Sequence, residues 1–409
     1  MLDKTLGMAA FLIIRLAFLG ILGCASPDAS VRSTPWGSVE SVVLGSPIAD
    51  DIMLTWVPLG RMDSVGRLYA IEPQEACVIV IGRDGAVLTA VGRSGEGPGE
   101  FIVPSRVGFG ANEFWVRDRQ RFSFFDYSGA LRRTVTPPVA SIDYQGFPVR
   151  LDALLSDSVF IGRPQVPAHV EIGEHIEYEP LLKVTAPGIG GEARMDTIAW
   201  TYIGTRTLAV RNPGRSRVMG LFGAQPFSDS DLYEIVPERG EVVVVRRREG
   251  GVLFVRVAAN GDTIGVRTLD YERRKVGEEM VEREIERWTR KAMKSRGVAA
   301  PSYSKAREWV ADALYVPEYL PAVAEMRVGG DGTLWLRRND SGEPTVPQVW
   351  DAFDGRSGAH IRSVELPMEF RVLAVSGDDV WGVRTDSLDV PYLVQRRLVR
   401  PGGTISVNE

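Results

Sequence analysis

Cysteine and histidine are scarce in this chain of 409 residues, which contains two cysteines and three histidines. Two cysteines cannot build a scaffold that depends on several disulfides. His169, His175 and His360 form neither a His-Glu-x-x-His sequence nor a cluster with zinc-ligand spacing. No Gly-x-Ser-x-Gly turn or Cys/His nucleophile pattern is present either. We therefore expect no zinc site and no cofactor, while a calcium site built from acidic side chains stays open.

Neither positive nor negative charge predominates in the chain. Lysine and arginine (48) nearly balance aspartate and glutamate (53), and the formal net charge is -5. Proteins that bind nucleic acid usually carry a basic field that neutralises phosphates, so we expect no nucleic-acid partner. Hydrophobic residues make up 44% of the chain, which is enough for a large core.

An apolar run of membrane-spanning length is the third absence, because a spanning helix needs about 20 residues. The apolar segment 16–23 follows Arg15 and leads into Cys24. A basic residue, a short apolar segment and a small residue before the cleavage point are the parts of a secretory signal peptide. Residues 21–24, Ile-Leu-Gly-Cys, resemble the lipobox of bacterial lipoproteins, in which the cysteine is acylated and becomes the mature N-terminus. The leucine departs from the smaller residue that is usual there.

These features predict a signal peptide over 1–23 and a linker over 24–38 that begins with a lipidated Cys24. Translation starts at Met1 or Met8. The implied location is the bacterial cell envelope, either the periplasmic face of the outer membrane or the cell surface, with the lipid anchor as the membrane contact. A plain signal peptide with an incidental cysteine is the alternative.

The second cysteine, Cys77, lies inside the apolar run 76–81. If Cys24 carries lipid, Cys77 has no disulfide partner. A cysteine in such a run is expected to be a buried and unreactive thiol.

One short phrase recurs along the chain: a turn-forming cluster leads into an apolar or aromatic run. The six runs cover 68–72, 114–118, 159–163, 242–246, 334–338 and 380–384. The second residues of successive runs are separated by 46, 45, 83, 92 and 46 residues. Such a period indicates a radial or stacked repeat. In most units a further strand and turn follow the phrase, which is typical of the four-stranded antiparallel blade of a β-propeller.

We predict an all-β fold, a six-bladed β-propeller over 39–409, with seven blades as the alternative. A helical insertion over 272–314, between blades four and five, is indicated by an apolar stripe at helical spacing and by a second helix that starts near Ser302 or Ser304. The 83-residue interval between the third and fourth runs is expected to contain an extended hairpin over 167–178, which we call the tongue. Residues 39–44 should close the ring by pairing with blade six, because an open end would leave unpaired strand edges.

Residues 93–101, Arg-Ser-Gly-Glu-Gly-Pro-Gly-Glu-Phe, resemble the G-x-G-E-G-P-G-E-F signature of bacterial six-bladed β-propeller lipoproteins, which are related to NHL-repeat propellers. Residues 334–335 with 350–354, and residues 380–383, are similar to that family as well. The resemblance covers roughly residues 36–402 and implies the fold and an envelope location, but no reaction. The glycines are expected to form a turn between blades, because a phosphate-binding loop would lead into a helix.

The ends of the six runs share one face of the predicted propeller, because the second strands of all blades run in the same direction. Arg163, Arg246, Arg338 and Arg384 occupy four of these six positions, and Asp118 occupies another. Both long insertions emerge on the same face. We predict that these five residues bind an anionic ligand beneath the helices, with at least two arginines directed toward the axis. The alternative is that the arginines pair with acidic neighbours or face water.

Two functions are compatible with these features. The first is a lipid-anchored ligand-binding or protein-interaction module of the cell envelope, whose partner is an anionic small molecule, an envelope glycan or another protein. The alternative is an enzyme of the lactonase or lyase kind that uses carboxylates and a divalent metal in the channel. A channel lined by arginine and apolar groups would favour the first function, and converging acidic side chains would favour the second.

Overall fold

The structure is a computed structural model, and it describes residues 34–45, 54–137, 142–165, 177–186, 192–204, 207–208, 223–247, 251–294, 302–339 and 346–402. Within the compact unit Pro35–Glu409, six sheets are arranged in a ring. The predicted six-bladed β-propeller with a helical insertion is confirmed. The predicted signal peptide, Cys24 and nearly all of the predicted tongue lie outside the described residues.

The chain begins with β1 (Gly37–Leu44), and blades one to three follow it in sequence order. Blade one contains β2 (Leu59–Met62), β3 (Leu68–Glu72), β4 (Cys77–Ile81) and β5 (Val87–Val91). Blade two contains β6 (Pro104–Phe109), β7 (Glu113–Asp118), β8 (Arg121–Asp126) and β9 (Leu131–Val135). Blade three contains β10 (Asp143–Tyr144), β11 (Phe147–Ser156), β12 (Val159–Pro164), β13 (Tyr178–Thr185) and β14 (Arg194–Tyr202). The short strand β10 makes blade three five-stranded.

Two short strands, β15 (Thr207–Leu208) and β16 (Gly223–Ala224), pair with each other before blade four. Blade four contains β17 (Leu232–Val236), β18 (Glu241–Arg246), β19 (Val252–Ala258) and β20 (Thr263–Leu269). The insertion contains β21 (Arg274–Lys275), α1 (Glu278–Lys294), α2 (Tyr303–Ala313) and β22 (Tyr319–Leu320). Blade five contains β23 (Val323–Val328), β24 (Leu334–Arg338), β25 (Gln348–Phe353) and β26 (His360–Leu366). Blade six contains β27 (Arg371–Ser376), β28 (Asp379–Thr385) and β29 (Pro391–Val399), and β1 is its outer strand.

The recurring phrases form the second strands of the blades, where both faces are covered by neighbouring sheets. All five residues of β3 are buried, which explains why the phrase is a continuous apolar run and does not alternate with polar residues. Tyr69 of β3 packs on Phe114 of β7 with ring centroids 4.9 Å apart. The turn before β3 is set by Asp63, whose side chain accepts hydrogen bonds from the backbone N–H groups of Val65 and Arg67.

Ring closure joins the two ends of the propeller. β1 pairs antiparallel with β29, from Gly37 opposite Val399 to Leu44 opposite Leu393. This pairing confirms the expectation that residues 39–44 complete blade six. It covers the edge of β29 that would otherwise be open to association with another chain.

The segment 93–101 forms a tight turn between blades one and two. Glu100 accepts a hydrogen bond from the backbone of Gly97 at 2.8 Å, and Phe101 is fully buried. Gly95 has a φ of +153°, and a Cβ built there would lie 2.1 Å from a Glu100 carboxylate oxygen, so a larger residue would displace the Glu100 side chain from this turn. The structural interpretation of this glycine-rich signature is confirmed.

The helical insertion stands on a two-stranded stem in which β21 pairs with β22. The first helix starts at Glu278, later than the predicted boundary at 272, because Arg274 and Lys275 belong to this stem. Ser302 is the N-cap of α2, and its side chain accepts a hydrogen bond from the Lys305 backbone at 3.3 Å. The helices bury Ile285, Trp288, Val310 and Leu314 against Leu208, Phe227 and Leu320.

Candidate functional site

The first full strands of the six blades, β2, β6, β11, β17, β23 and β27, surround a central channel. All six contribute lining residues to its cavity, which has a volume of about 210 Å³. We call the end of the channel where β6 and β11 begin, and where β7 and β12 finish, the upper end. The loops that carry the predicted tongue and the helical insertion leave the sheets at this end.

Four arginines of blades two and three gather around one carboxylate near the upper end. Arg150 Nε lies 2.9 Å from Asp152 Oδ1, and Arg163 Nε lies 3.1 Å from Asp152 Oδ2. Arg106 Nε approaches Asp152 Oδ1 at 3.5 Å, and Arg117 lies within electrostatic range of the same carboxylate. We call Arg106, Arg117, Arg150 and Arg163 the arginine cluster.

The cluster is held by charge. Burial raises the pKa of Asp152, but Arg106, Arg150 and Arg163 outweigh burial and hold that pKa below its ordinary value. Arg163 also donates to Glu179 at 3.2 Å. Among the described residues, four guanidinium groups therefore meet two carboxylates, which leaves an excess of positive charge at the upper end.

Arg117 is the most buried member of the cluster, with 6% of its surface exposed. It donates from Nη1 to Ser105 Oγ at 2.9 Å, but within the described part of the chain its buried Nε has no hydrogen-bond partner. Burial and the neighbouring arginines together lower the pKa of Arg117 to about 10, although Asp152 opposes the shift. A buried guanidinium with an unused donor is costly unless another group completes its contacts.

The lower end of the channel is crossed by an ion pair between opposite blades. Arg61 of blade one donates to Glu238, which follows β17 of blade four, at 2.8 Å, and to the Val107 carbonyl at 3.2 Å. Glu234 lies beside this pair and accepts a hydrogen bond from the Val328 backbone at 2.9 Å. Burial raises the pKa of Glu234, although Arg61 opposes that shift. The channel is therefore more accessible from its upper end.

The predicted site residues do not form one ring. Arg163 belongs to the arginine cluster beside the channel. Arg246 lies with its Nε 3.8 Å from Asp231, just before the first strand of blade four. Arg163 contacts Asp152 and Arg246 contacts Asp231. Arg338 and Arg384 contact neither of these carboxylates.

Arg338 and Arg384 are directed away from the axis, toward outer strands of their blades. Arg338 forms a bidentate pair with Asp351 of β25 at 2.8 and 2.7 Å. Arg384 lies 3.7 Å from Glu40 of β1 and over the ring of Tyr392. The structure therefore supports the alternative interpretation of these two residues, in which each arginine pairs with an acidic neighbour and does not point toward the axis.

Asp118 stabilises a loop and does not line the channel cavity. Its carboxylate accepts hydrogen bonds from the backbone N–H groups of Ile102 and Val103, the shorter at 2.7 Å. It also accepts from Arg121 at 2.9 Å. Arg121 in turn donates to the carbonyl of Glu96, so this pair connects blade two with the glycine-rich turn.

Sequence reasoning missed Arg106, Arg117, Arg150 and Asp152. A usable signal was present in blade three, where Arg150 and Asp152 interrupt an otherwise apolar first strand. Charged residues in a strand that should be buried indicate either an ion-pair network or a functional site. The prediction was based instead on the last residue of each second strand.

Other features bear on metals and membranes. His360 lies 3.6 Å from Asp351 in blade five, far along the chain from the other histidines, which the structure does not describe. Within the ranges given above, no three His, Cys, Asp or Glu side chains are grouped to hold a metal ion. In the same part of the chain, neither helix has the length and apolar character needed to cross a bilayer.

No family model and no curated protein matches the chain. Among solved structures, a protein from Bacteroides fragilis is 11% identical over 88% of this chain and 95% of its own, with a TM-score of 0.42. A member of the DUF4221 family from Bacteroides vulgatus is 10% identical over 89% and 98%, with a TM-score of 0.47. Inactive virginiamycin B lyase from Staphylococcus aureus is 10% identical over 89% and 95%, with a TM-score of 0.34. These similarities carry no argument about the activity of this chain.

Proposed function

We propose that this chain is a binding module of the bacterial cell envelope, anchored by lipid at Cys24, and that it holds an anionic ligand at the arginine cluster. The observation that carries the proposal is the excess of guanidinium groups around Asp152, where Arg106 and Asp152 line the channel cavity and Arg150 and Arg163 contact the same carboxylate. A carboxylate, phosphate or sulfate group bound there would balance this excess of positive charge.

The contacts of the channel carboxylates favour binding over catalysis. Asp152 is occupied by three arginines, and Glu234 accepts a backbone hydrogen bond on another level of the channel. A metal-dependent lyase or lactonase needs carboxylates that converge on one ion, whereas a channel lined by arginine and apolar side chains suits recognition of an anion. The binding function is therefore the one that this lining supports best.

Titration calorimetry with sulfate, phosphate and acetate tests the proposal. The purified protein is compared with the single variants Arg106→Gln and Arg163→Gln, and with Arg194→Gln as a control that removes an exposed arginine of the same blade (side chain 77% exposed). A charge-assisted hydrogen bond contributes about 1.5–3 kcal/mol, so each cluster variant should weaken binding about tenfold or more. Equal affinities for all four proteins, or no binding of any anion, would contradict the proposal.

A further inference from the structure

A second group of arginines lies on the opposite side of the ring from the arginine cluster. Blades two and five face each other across the channel, because the six blades follow one another around the ring in sequence order. Arg106 of blade two and Arg327 of blade five both line the channel cavity. The cavity is therefore bounded by a guanidinium group from each of two opposite blades.

The carboxylate of Glu325 in β23 holds this second group together. Arg327 Nη2 lies 3.4 Å from Glu325 Oε2, and Arg337 Nε donates to Glu325 Oε1 at 3.0 Å. Arg371, the first residue of β27, lies within electrostatic range of both Glu325 and Arg327. We call Arg327, Arg337 and Arg371 the opposite group. Arg337 and Arg117 are each the fourth residue of the recurring run in their blade, so the two groups lie at corresponding levels of the ring.

The opposite group also carries more positive than negative charge. Glu234 is a second carboxylate within electrostatic range of Arg327. In the described part of the chain, three guanidinium groups thus face two carboxylates. Burial raises the pKa of Glu234, which disfavours its negative charge. The channel therefore has an excess of positive charge on two opposite sides.

Both sides keep guanidinium N–H donors that the protein does not use. Arg106 approaches Asp152 at 3.5 Å, but it forms no hydrogen bond with the residues that the structure describes, and its side chain is 38% exposed. Arg371 donates to the carbonyls of Pro58, at 2.9 Å, and Val57. An arginine has five N–H donors, so within the same ranges three donors of Arg371 stay available. An anionic group can bind on either side without breaking an existing hydrogen bond.

We infer that the ligand carries two separate anionic groups, one bound at the arginine cluster through Arg106 and the other at the opposite group through Arg327 and Arg371. This inference rests on the proposed function, because it adds a second contact for the ligand of the same site. An anionic group held at the cluster raises the effective concentration of the second one at the opposite group. A ligand with a single anionic group would balance the charge on one side only.

The test is titration calorimetry at pH 8 with succinate, adipate and suberate, each compared with its own monomethyl ester. The ester keeps the length of the diacid and loses one charge. Because the distance between the two groups of arginines is fixed, the affinity of the diacids should depend on length and be greatest for one of them. That diacid should bind at least about tenfold more tightly than its ester, since its second carboxylate gains charge-assisted hydrogen bonds.

Arg371→Gln separates this inference from the proposed function. It should remove most of the advantage of the diacid over its ester, whereas Arg106→Gln should weaken the binding of both. Arg356→Gln is the matched control and should preserve the advantage, because Arg356 is an exposed residue of the turn between β25 and β26 and does not line the cavity. Arg371→Lys keeps the positive charge and should retain part of the advantage. Urea titrations establish that each variant is folded.

The outcomes are distinct. If each diacid binds only as tightly as its ester, and both depend on Arg106, the arginine cluster binds anions but the second contact is wrong. If the diacid binds more tightly and Arg371→Gln leaves that advantage intact, both carboxylates bind at the arginine cluster and the inference is wrong in the same way. If neither the diacids nor the esters depend on Arg106, the proposed function fails together with this inference.

Discussion

Replacing Asp152 with asparagine removes the carboxylate around which the arginine cluster is built. The side chain of Asp152 is fully buried and contacts Arg106, Arg150 and Arg163. Asparagine has almost the same shape, so the substitution changes charge and leaves the packing of β11 largely intact. Arg117 would then lie buried without the negative charge of Asp152, which stabilises its charged form.

The expected loss in the free energy of unfolding depends on how deeply Asp152 and its arginine partners are buried. Removing one partner of a buried ion pair usually costs about 3–5 kcal/mol. The three arginine side chains are 22% to 38% exposed, so water screens part of the resulting repulsion and the lower value applies. We expect Asp152→Asn to lower the free energy of unfolding by about 3 kcal/mol at neutral pH and low salt.

Sulfate should return much of this loss, because an anion can take the place of the carboxylate. At a concentration one hundred times its dissociation constant, a ligand stabilises the folded state by about 2.7 kcal/mol. Urea unfolding with and without sulfate measures both effects. Asp196→Asn is the control, since Asp196 pairs with Arg194 in the same blade but its side chain is 44% exposed.

The pH dependence adds a second readout. The folded-state pKa of Asp152 is lowered, so its stabilisation is present above the unfolded pKa of about 3.9 and is lost as the pH falls through the folded value. The wild-type protein should lose this contribution in acid, and the asparagine variant should not. A loss as small as that of Asp196→Asn, or sulfate stabilisation that is equal in all proteins, would refute the reasoning.

Three further predictions concern other parts of the chain. Asp351→Asn should lower the free energy of unfolding by about 3–5 kcal/mol in a urea titration, because it removes the buried carboxylate that accepts the bidentate hydrogen bonds of Arg338. A change below about 1 kcal/mol would contradict this. Burial, Glu72 and Glu75 raise the pKa of Cys77 to about 11, so its thiol should react with a disulfide reagent at pH 8 far more slowly in the native protein than in urea, and equal rates would show that the thiol is accessible as thiolate. Cys24→Ser should move the protein from the membrane fraction to the soluble periplasmic fraction, and continued membrane association would refute lipid anchoring.

The blade pattern could be predicted because it is local. Turn residues such as Asp63 organise the backbone within four residues of themselves, and the apolar run that follows is buried on both faces wherever a sheet lies between two others. The helical insertion was equally visible, since an apolar stripe at helical spacing needs no distant partner to be recognised. Within the predicted insertion, the first helix starts six residues after residue 272, because Arg274 and Lys275 pair with Tyr319 and Leu320, which lie far along the chain.

The sequence marks Arg150 and Asp152 as unusual in a buried strand, but the arrangement of the arginine cluster could not be predicted because its geometry is not local. The strand-end pattern treated Arg163 and Arg338 as equivalent, and both do occupy the ends of second strands. In blade three, the first strand supplies Asp152 at a register shift between Leu151 and Ala153, so Arg163 turns toward the channel. In blade five, the acidic partner of Arg338 is on the third strand, so that arginine turns outward.

The sequence by itself therefore predicted the blade repeat and the place of the insertion, because turn chemistry and hydrophobic periodicity act over a few residues, while six and seven blades both remained open until the structure showed six. The tertiary structure decided which charged side chains meet. An arginine is long and can turn to either side, and Coulomb attraction in a partly buried setting selects the nearest carboxylate in space. Whether that carboxylate is Asp152 at the channel or Asp351 away from it depends on register and strand order, which only the assembled ring sets.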